Sequence, residues 1–211
     1  LIYLFPVHLF ITQNIACCLD HCMDFLPELF AYPPDEPVTV ILGDFADLGN
    51  AGAGAVPRNG MAVMLSPPSM AYETYPANER MNTLMNHELV HVVCFDRASG
   101  TDRAFRTLFR GKVSAIPEHP ESIVYNFLTS PRSSAPRWFH EGIAVFVETW
   151  MAGGIGRAQG TYDEMVFRSM VRDGTPFYDP LGLVSEGTST DFQLEMSSYL
   201  YGTRFMSYLA M

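Results

Sequence analysis

His87-Glu88-Leu89-Val90-His91 is the stretch of this sequence best equipped for chemistry. On a helix, two histidines four positions apart stand one turn apart on the same face, spaced to grip a single Zn²⁺. The glutamate beside them is then placed to act as general base on a water that the metal activates. Ordinary residue frequencies give this pattern by chance in roughly one chain in a hundred of this length, so a second segment is needed to support it. Trp138-Phe139-His140-Glu141-Gly142-Ile143-Ala144-Val145-Phe146-Val147-Glu148 supplies one. A catalytic zinc takes three protein ligands and keeps one position for water, with N and O donors at about 2.0–2.2 Å. Glu141 is a candidate third ligand, and Gly142 beside it would let two helices approach closely. His140 competes for the same role. Neighbouring helix positions point about 100° apart, so only one of the two can face a metal, and side-chain pattern alone leaves both open. Glu148, two turns beyond Glu141 on the same face, is placed to orient a ligand imidazole.

Together the two segments resemble the gluzincin metallopeptidases, both the gluzincin aminopeptidases and the looser peptidase MA-like domains of bacteria. The resemblance implies that His87, His91 and Glu141 hold one Zn²⁺ per chain, with Glu88 as the base. It also extends to Tyr199-Leu200-Tyr201-Gly202-Thr203, similar to the aminopeptidase pattern Y-x-K-G-A, whose tyrosine stabilises the tetrahedral oxyanion. That implies a catalytic role for Tyr199, with Tyr201 as the alternative; a phenol O–H aimed at developing negative charge is a sound donor.

Two departures narrow the resemblance. The stretch 92–140 between His91 and Glu141 is much longer than in the aminopeptidases, so Gly111 to Pro136 reads as an insertion, either a lid or an inert surface excursion. Where the aminopeptidases carry a glutamate that holds the substrate's free amine, Gly54-Ala55-Val56-Pro57-Arg58 offers Pro57. The expected activity is therefore peptide-bond hydrolysis by an endopeptidase rather than an aminopeptidase. The alternative is a non-catalytic peptidase-like binding module that keeps the fold, with or without the metal.

The elements that must position these residues follow from periodicity and punctuation. Leu1 to Phe10 reads as a strand, and Ile11 to Phe30 as an amphipathic helix with Ile11, Ile15, Cys18, Leu19, Cys22, Phe25, Leu26 and Leu29 in one stripe. Val38 to Leu42 and Met61 to Leu65 read as strands, the latter either an edge along which a peptide could pair or ordinary sheet core. The Gly- and Ala-rich stretch between them reads as loop. Asn78 is a candidate cap for the helix of the two histidines, which should run to about Phe95. Further helices are expected around Asp102 to Arg110, Glu121 to Leu128, Arg137 to Met151 (stopped by Gly153-Gly154), Tyr162 to Arg172 and Asp191 to Met211.

Strands early and helices late make an α+β arrangement. The resemblance implies a thermolysin-like zincin: a small mixed sheet with an edge strand in an N-terminal lobe (about 1–95), a helical C-terminal lobe (about 96–211), and zinc between them. The 211 residues read as one catalytic domain, and the apolar face of the last helix suggests a fragment of a longer protein with additional domains. With a net charge of −10 and Lys112 as the only lysine, no basic run exists to track nucleic acid. No apolar run reaches the length of a membrane span. Peptide or protein is the expected substrate, and the export common among similar families favours an extracytoplasmic location. Met61, Met64, Met81 and Met85 are expected in the core, and Cys17, Cys18, Cys22 and Cys94 as buried structural thiols.

Overall fold

In a computed structural model the chain is α+β, with seven α-helices and a three-stranded mixed sheet among the described residues, which are 8–45, 47, 49–67, 79–151, 153–154, 156–179, 183 and 194–211. By its internal contacts the chain divides into two units, Leu1–Pro67 with Glu88–Ala135, and Pro68–His87 with Pro136–Met211.

The first unit opens on α1 (Leu9–Phe30). The expected strand falls mostly outside the described residues, but its last part, Leu9 and Phe10, is helical. Ile15, Cys22 and Leu26 are the buried part of the α1 stripe, whereas Leu29 is exposed. The helix closes at Ala31, whose left-handed conformation (φ 48°) turns the following N–H, that of Tyr32, back to the carbonyl of Pro27 (3.1 Å).

The sheet consists of β1 (Thr39–Gly43), β2 (Ala51–Gly54) and β3 (Gly60–Met64), in the order β1-β3-β2. β3 runs parallel to β1 and antiparallel to β2, with Met61 opposite both Val40 and Ala53. Two expectations are corrected here. Ala51-Gly-Ala-Gly54 is a strand rather than loop: it has no β-branched residue to announce it and is held by backbone pairing alone. And β3 is the central strand, not an edge. Both of its sides are paired, and Met61 and Val63 point into the core, so a peptide cannot add to it.

A buried polar network ties the rest of this unit together. Asp96, fully buried, accepts from the Asp35 backbone N–H (2.7 Å), Lys112 Nζ (2.9 Å), Arg106 Nη1 (3.2 Å) and Asn59 Nδ2 (3.2 Å). Burial alone would raise the Asp96 carboxyl, but the Lys112 ammonium and these N–H donors outweigh it and hold it below the ordinary carboxylate range. Lys112 also bonds Glu36 at 2.6 Å. The chain 111–136 is thus fastened rather than loose. Around it stand α3 (Gly100–Leu108), started by a Ser99–Asp102 capping box, and α4 (Glu121–Thr129). Arg106 Nε reaches the carbonyl of Thr129 (2.8 Å), and Arg132 reaches that of Arg97 (2.6 Å).

The histidine-bearing helix is α2 (Arg80–Asp96). Asn78 lies outside the described residues. The Glu79 carboxylate does the capping, accepting from the backbone N–H groups of Met81 (3.0 Å) and Asn82 (2.6 Å). In the second unit α5 (Arg137–Met151), α6 (Thr161–Asp173) and α7 (Leu194–Leu209) follow. Gly153 and Gly154 end α5 with φ of 73° and 84°, conformations open to glycine.

α5 and α7 cross at Gly142 and Gly202. A Cβ on Gly202 would meet the carbonyl oxygen of Trp138 and come within 2.9 Å of Gly142 Cα, and one on Gly142 would strike the backbone of Gly202. The close approach expected from Gly142 therefore has a glycine on each side. Met61, Met81 and Met85 are buried as expected, whereas Met64 is only half-buried. Of the cysteines, all reduced, Cys22 is buried and Cys18 and Cys94 are half-buried, but Cys17 is exposed on the outer face of α1 and is not a buried thiol. No helix among the described residues is long and apolar enough to cross a membrane.

Candidate metal centre

The site is built from two helices. On α2, His87 and His91 are one turn apart, both buried, with buried Glu88 beside His87. On α5, Glu141 and Glu148 are seven positions apart, which on a helix is two turns and one face. His87 meets both: its Nε2 lies 3.2 Å from Glu141 Oε2, and its Nδ1 lies 2.7 Å from Glu148 Oε2. The ring is thereby held at its two nitrogens by two carboxylates from one helix.

One ligand atom each from His87, His91 and Glu141 falls within 4.8 Å of the others. For a tetrahedral ion bound at about 2.1 Å, neighbouring ligand atoms stand about 3.4 Å apart. The 3.2 Å between His87 Nε2 and Glu141 Oε2 is close to that edge, and two imidazoles with one carboxylate form a donor set suited to zinc. The residues present therefore fit a metal ion. His140, the rival third ligand, is buried on α5 and sets its ring edge-on to Phe139 at 5.5 Å; the group that gathers contains Glu141 instead.

The electrostatics follow from burial and neighbours. Burial by itself lowers the pKa of His87, but Glu141 and then Glu148 outweigh it, pushing the group up to about 9. Glu148 is fully buried, which would raise it, yet Arg157 and His87 keep it below the ordinary range. Arg157 does this with a two-pronged bond, Nε to Oε1 and Nη2 to Oε2, each 2.6 Å.

Tyr199, on α7, stacks on the His87 ring at 6.2 Å with 21° between planes. The guanidinium groups of Arg137 and Arg157 each lie 5.5 Å from its ring centre, and Arg137 Nη2 is 3.5 Å from its hydroxyl. Burial, with Glu141 nearby, pushes the Tyr199 phenol up to about 12, so it keeps its proton and stays a donor. Tyr201, the alternative, is elsewhere: it packs with Phe167, Phe177 and Tyr178, and its hydroxyl accepts from the Tyr178 backbone N–H (3.2 Å).

Sequence reasoning missed Arg137 and Arg157. Arg137 carried one faint signal, its position four residues before Glu141; its Nε lies 3.4 Å from Glu141 Oε1. Arg157 sits in a Gly-rich stretch, and only the near-exclusive use of arginine for positive charge hints at it. Comparison of the chain with known protein families, with curated proteins and with solved structures finds no match.

Proposed function

We propose that this chain is a zinc-dependent metallopeptidase of the gluzincin kind, with a thermolysin-like zincin arrangement. The observation that carries the reading is the convergence of His87, His91 and Glu141, a ligand set of the right chemistry and spacing, with Glu88 next to one of the ligands. His87, His91 and Glu141 hold the metal. When bound, zinc acidifies a water and polarises the scissile carbonyl. Glu88 takes the proton from the attacking water and returns it to the leaving amine. Tyr199, protonated and with two arginine guanidinium groups against its ring, donates to the oxygen on which negative charge develops. Glu148 holds His87 by Nδ1 and so leaves Nε2, beside Glu141, as the nitrogen that would take the metal. With Pro57 where an amine-holding glutamate would stand, internal peptide bonds are the expected substrate rather than N-terminal ones.

The test is zinc stoichiometry after equal dialysis, paired with cleavage of a peptide library. About one zinc per chain is expected in the wild type and far less in Glu141→Ala. Glu88→Gln should keep its zinc and lose cleavage by about a thousand-fold or more, since both attack and departure pass through that carboxylate. A wild type without zinc refutes the reading. Zinc without cleavage in the wild type leaves a metal-holding binding module.

A further inference from the structure

We infer that Arg157 is a positioning residue for the metal centre, acting through Glu148 on His87; the inference rests on the metal-centre reading given above. Glu148 has both oxygens occupied by one guanidinium, at 2.6 Å each, and shares Oε2 with His87 Nδ1 at 2.7 Å. A carboxylate gripped at both oxygens cannot turn about its last bond. Its plane, and with it the direction from which His87 is held, is therefore set by Arg157. Arg157 Nη2 also comes within 3.0 Å of His87 Nδ1. Both are donors when Nδ1 carries its proton, so this is close packing beside the Nδ1–Glu148 bond rather than a rival to it. The same guanidinium lies over the Tyr199 ring, which stacks on His87 from α7. One side chain thus braces both the imidazole and the phenol.

The backbone that delivers Arg157 is itself pinned to the helix that carries Glu141 and Glu148. Arg157–Gln159 forms a 3₁₀ turn, and the Ala158 N–H donates to Thr149 Oγ1 at 3.0 Å. Thr149, fully buried, passes its own hydrogen to the Val145 carbonyl at 2.9 Å. Gly156 presses on Thr149 so closely that a Cβ there would lie 2.7 Å from Thr149 Cα. Helix α5 therefore supplies a metal ligand, the carboxylate behind a second ligand, and the dock for the residue that holds that carboxylate.

The experiment measures zinc affinity by competition with a chromophoric chelator for the wild type, Arg157→Met, Arg157→Lys, Glu148→Gln and the Arg157→Met/Glu148→Gln double variant, with circular dichroism to verify folding. Loss of a residue that orients a ligand costs roughly 10–100-fold in metal affinity, and that is the expected effect of Arg157→Met. Arg157→Lys keeps the charge without the fork and should recover only part of the loss. It also serves as the informative variant if Arg157→Met fails to fold. If Arg157 acts through Glu148, the double variant binds zinc no more weakly than Glu148→Gln alone. In the zinc-loaded protein the hydrogen-bonded Nδ1–H proton resonance of His87 should exchange with water faster in Arg157→Met, a change that a general packing role would not produce. Folded Arg157 variants with wild-type zinc affinity, or losses that add in the double variant, overturn the inference and leave the peptidase reading standing. Weakened zinc binding in a protein that cleaves no peptide does the reverse. A wild type that takes up no zinc overturns both.

Discussion

At the scale of single residues, the direction in which α5 presents its side chains selects which of two adjacent groups meets His87, and Glu141 lies 3.2 Å from its Nε2. His140 and Glu141 are adjacent and both are competent ligands, and the sequence pattern could not choose between them. Only the facing of α5 toward His87 decides, and a 100° step per residue makes that choice all or none. We expect His140→Gln to keep about one zinc per chain, because His140 packs against Phe139 and is outside the gathered group. Elemental analysis beside Glu141→Ala gives the contrast directly, and loss of zinc in both variants would show that the packing of His140 is needed to hold Glu141 in place. The gathering of His87, His91 and Glu141, with Glu148 behind His87, was legible in advance because helical periodicity links these positions within two segments. Arg157 was not legible: it reaches His87 across 70 positions of sequence, and its turn is held by a threonine hydroxyl rather than by a recognisable pattern.

At the scale of elements, most helices were readable from apolar spacing and from Gly or Pro stops, whereas the sheet was only half readable. Parallel pairing of β1 with β3 and the insertion of β3 between two neighbours are long-range backbone facts, and Ala51-Gly-Ala-Gly54 has no side chains to signal a strand. The α5–α7 crossing is the element that brings Tyr199 to His87, since Tyr199 sits one turn before Gly202. Gly202→Ala therefore makes a sharp test. Intrinsic helix propensity favours the alanine by about 1 kcal/mol. The new methyl, however, would meet the Trp138 carbonyl and the Gly142 backbone, neither of which can swing away. We expect the collision to win, with a net loss of about 1–3 kcal/mol seen as a melting point lower by several degrees. Since the helices must part, Tyr199 should lose its place against His87, and the cleavage proposed above should fall as well. A more stable variant would mean that the crossing is looser than it stands here.

At the scale of the whole molecule, charge and burial set how stability responds to pH. Asp163, at the start of α6, is almost fully buried, neither of its oxygens has a hydrogen-bond partner among the described residues, and burial pushes its pKa up to about 7. The sign is opposite to that of a paired carboxylate. A raised pKa gives stability that is fully present below the ordinary value of 3.8 and is lost as pH rises through about 7. Asp163→Asn removes that loss, so its melting point should exceed the wild type's at pH 8 and the margin should shrink toward pH 4. The full effect is at most about 4 kcal/mol, and equal margins at both pH values would refute the assignment. Asp96 works the other way, its stabilisation fading as acid protonates it. Its main counter-ion is Lys112, the only lysine in the sequence, whose side chain is just 4% exposed. The folded molecule therefore offers almost no side-chain amine to solvent. Succinimidyl dyes, amine cross-linkers and lysine-directed surface coupling should leave Lys112 unmodified until the protein unfolds, so its acylation rate becomes a direct gauge of opening of the first unit, while site-selective attachment would go through the exposed thiol of Cys17.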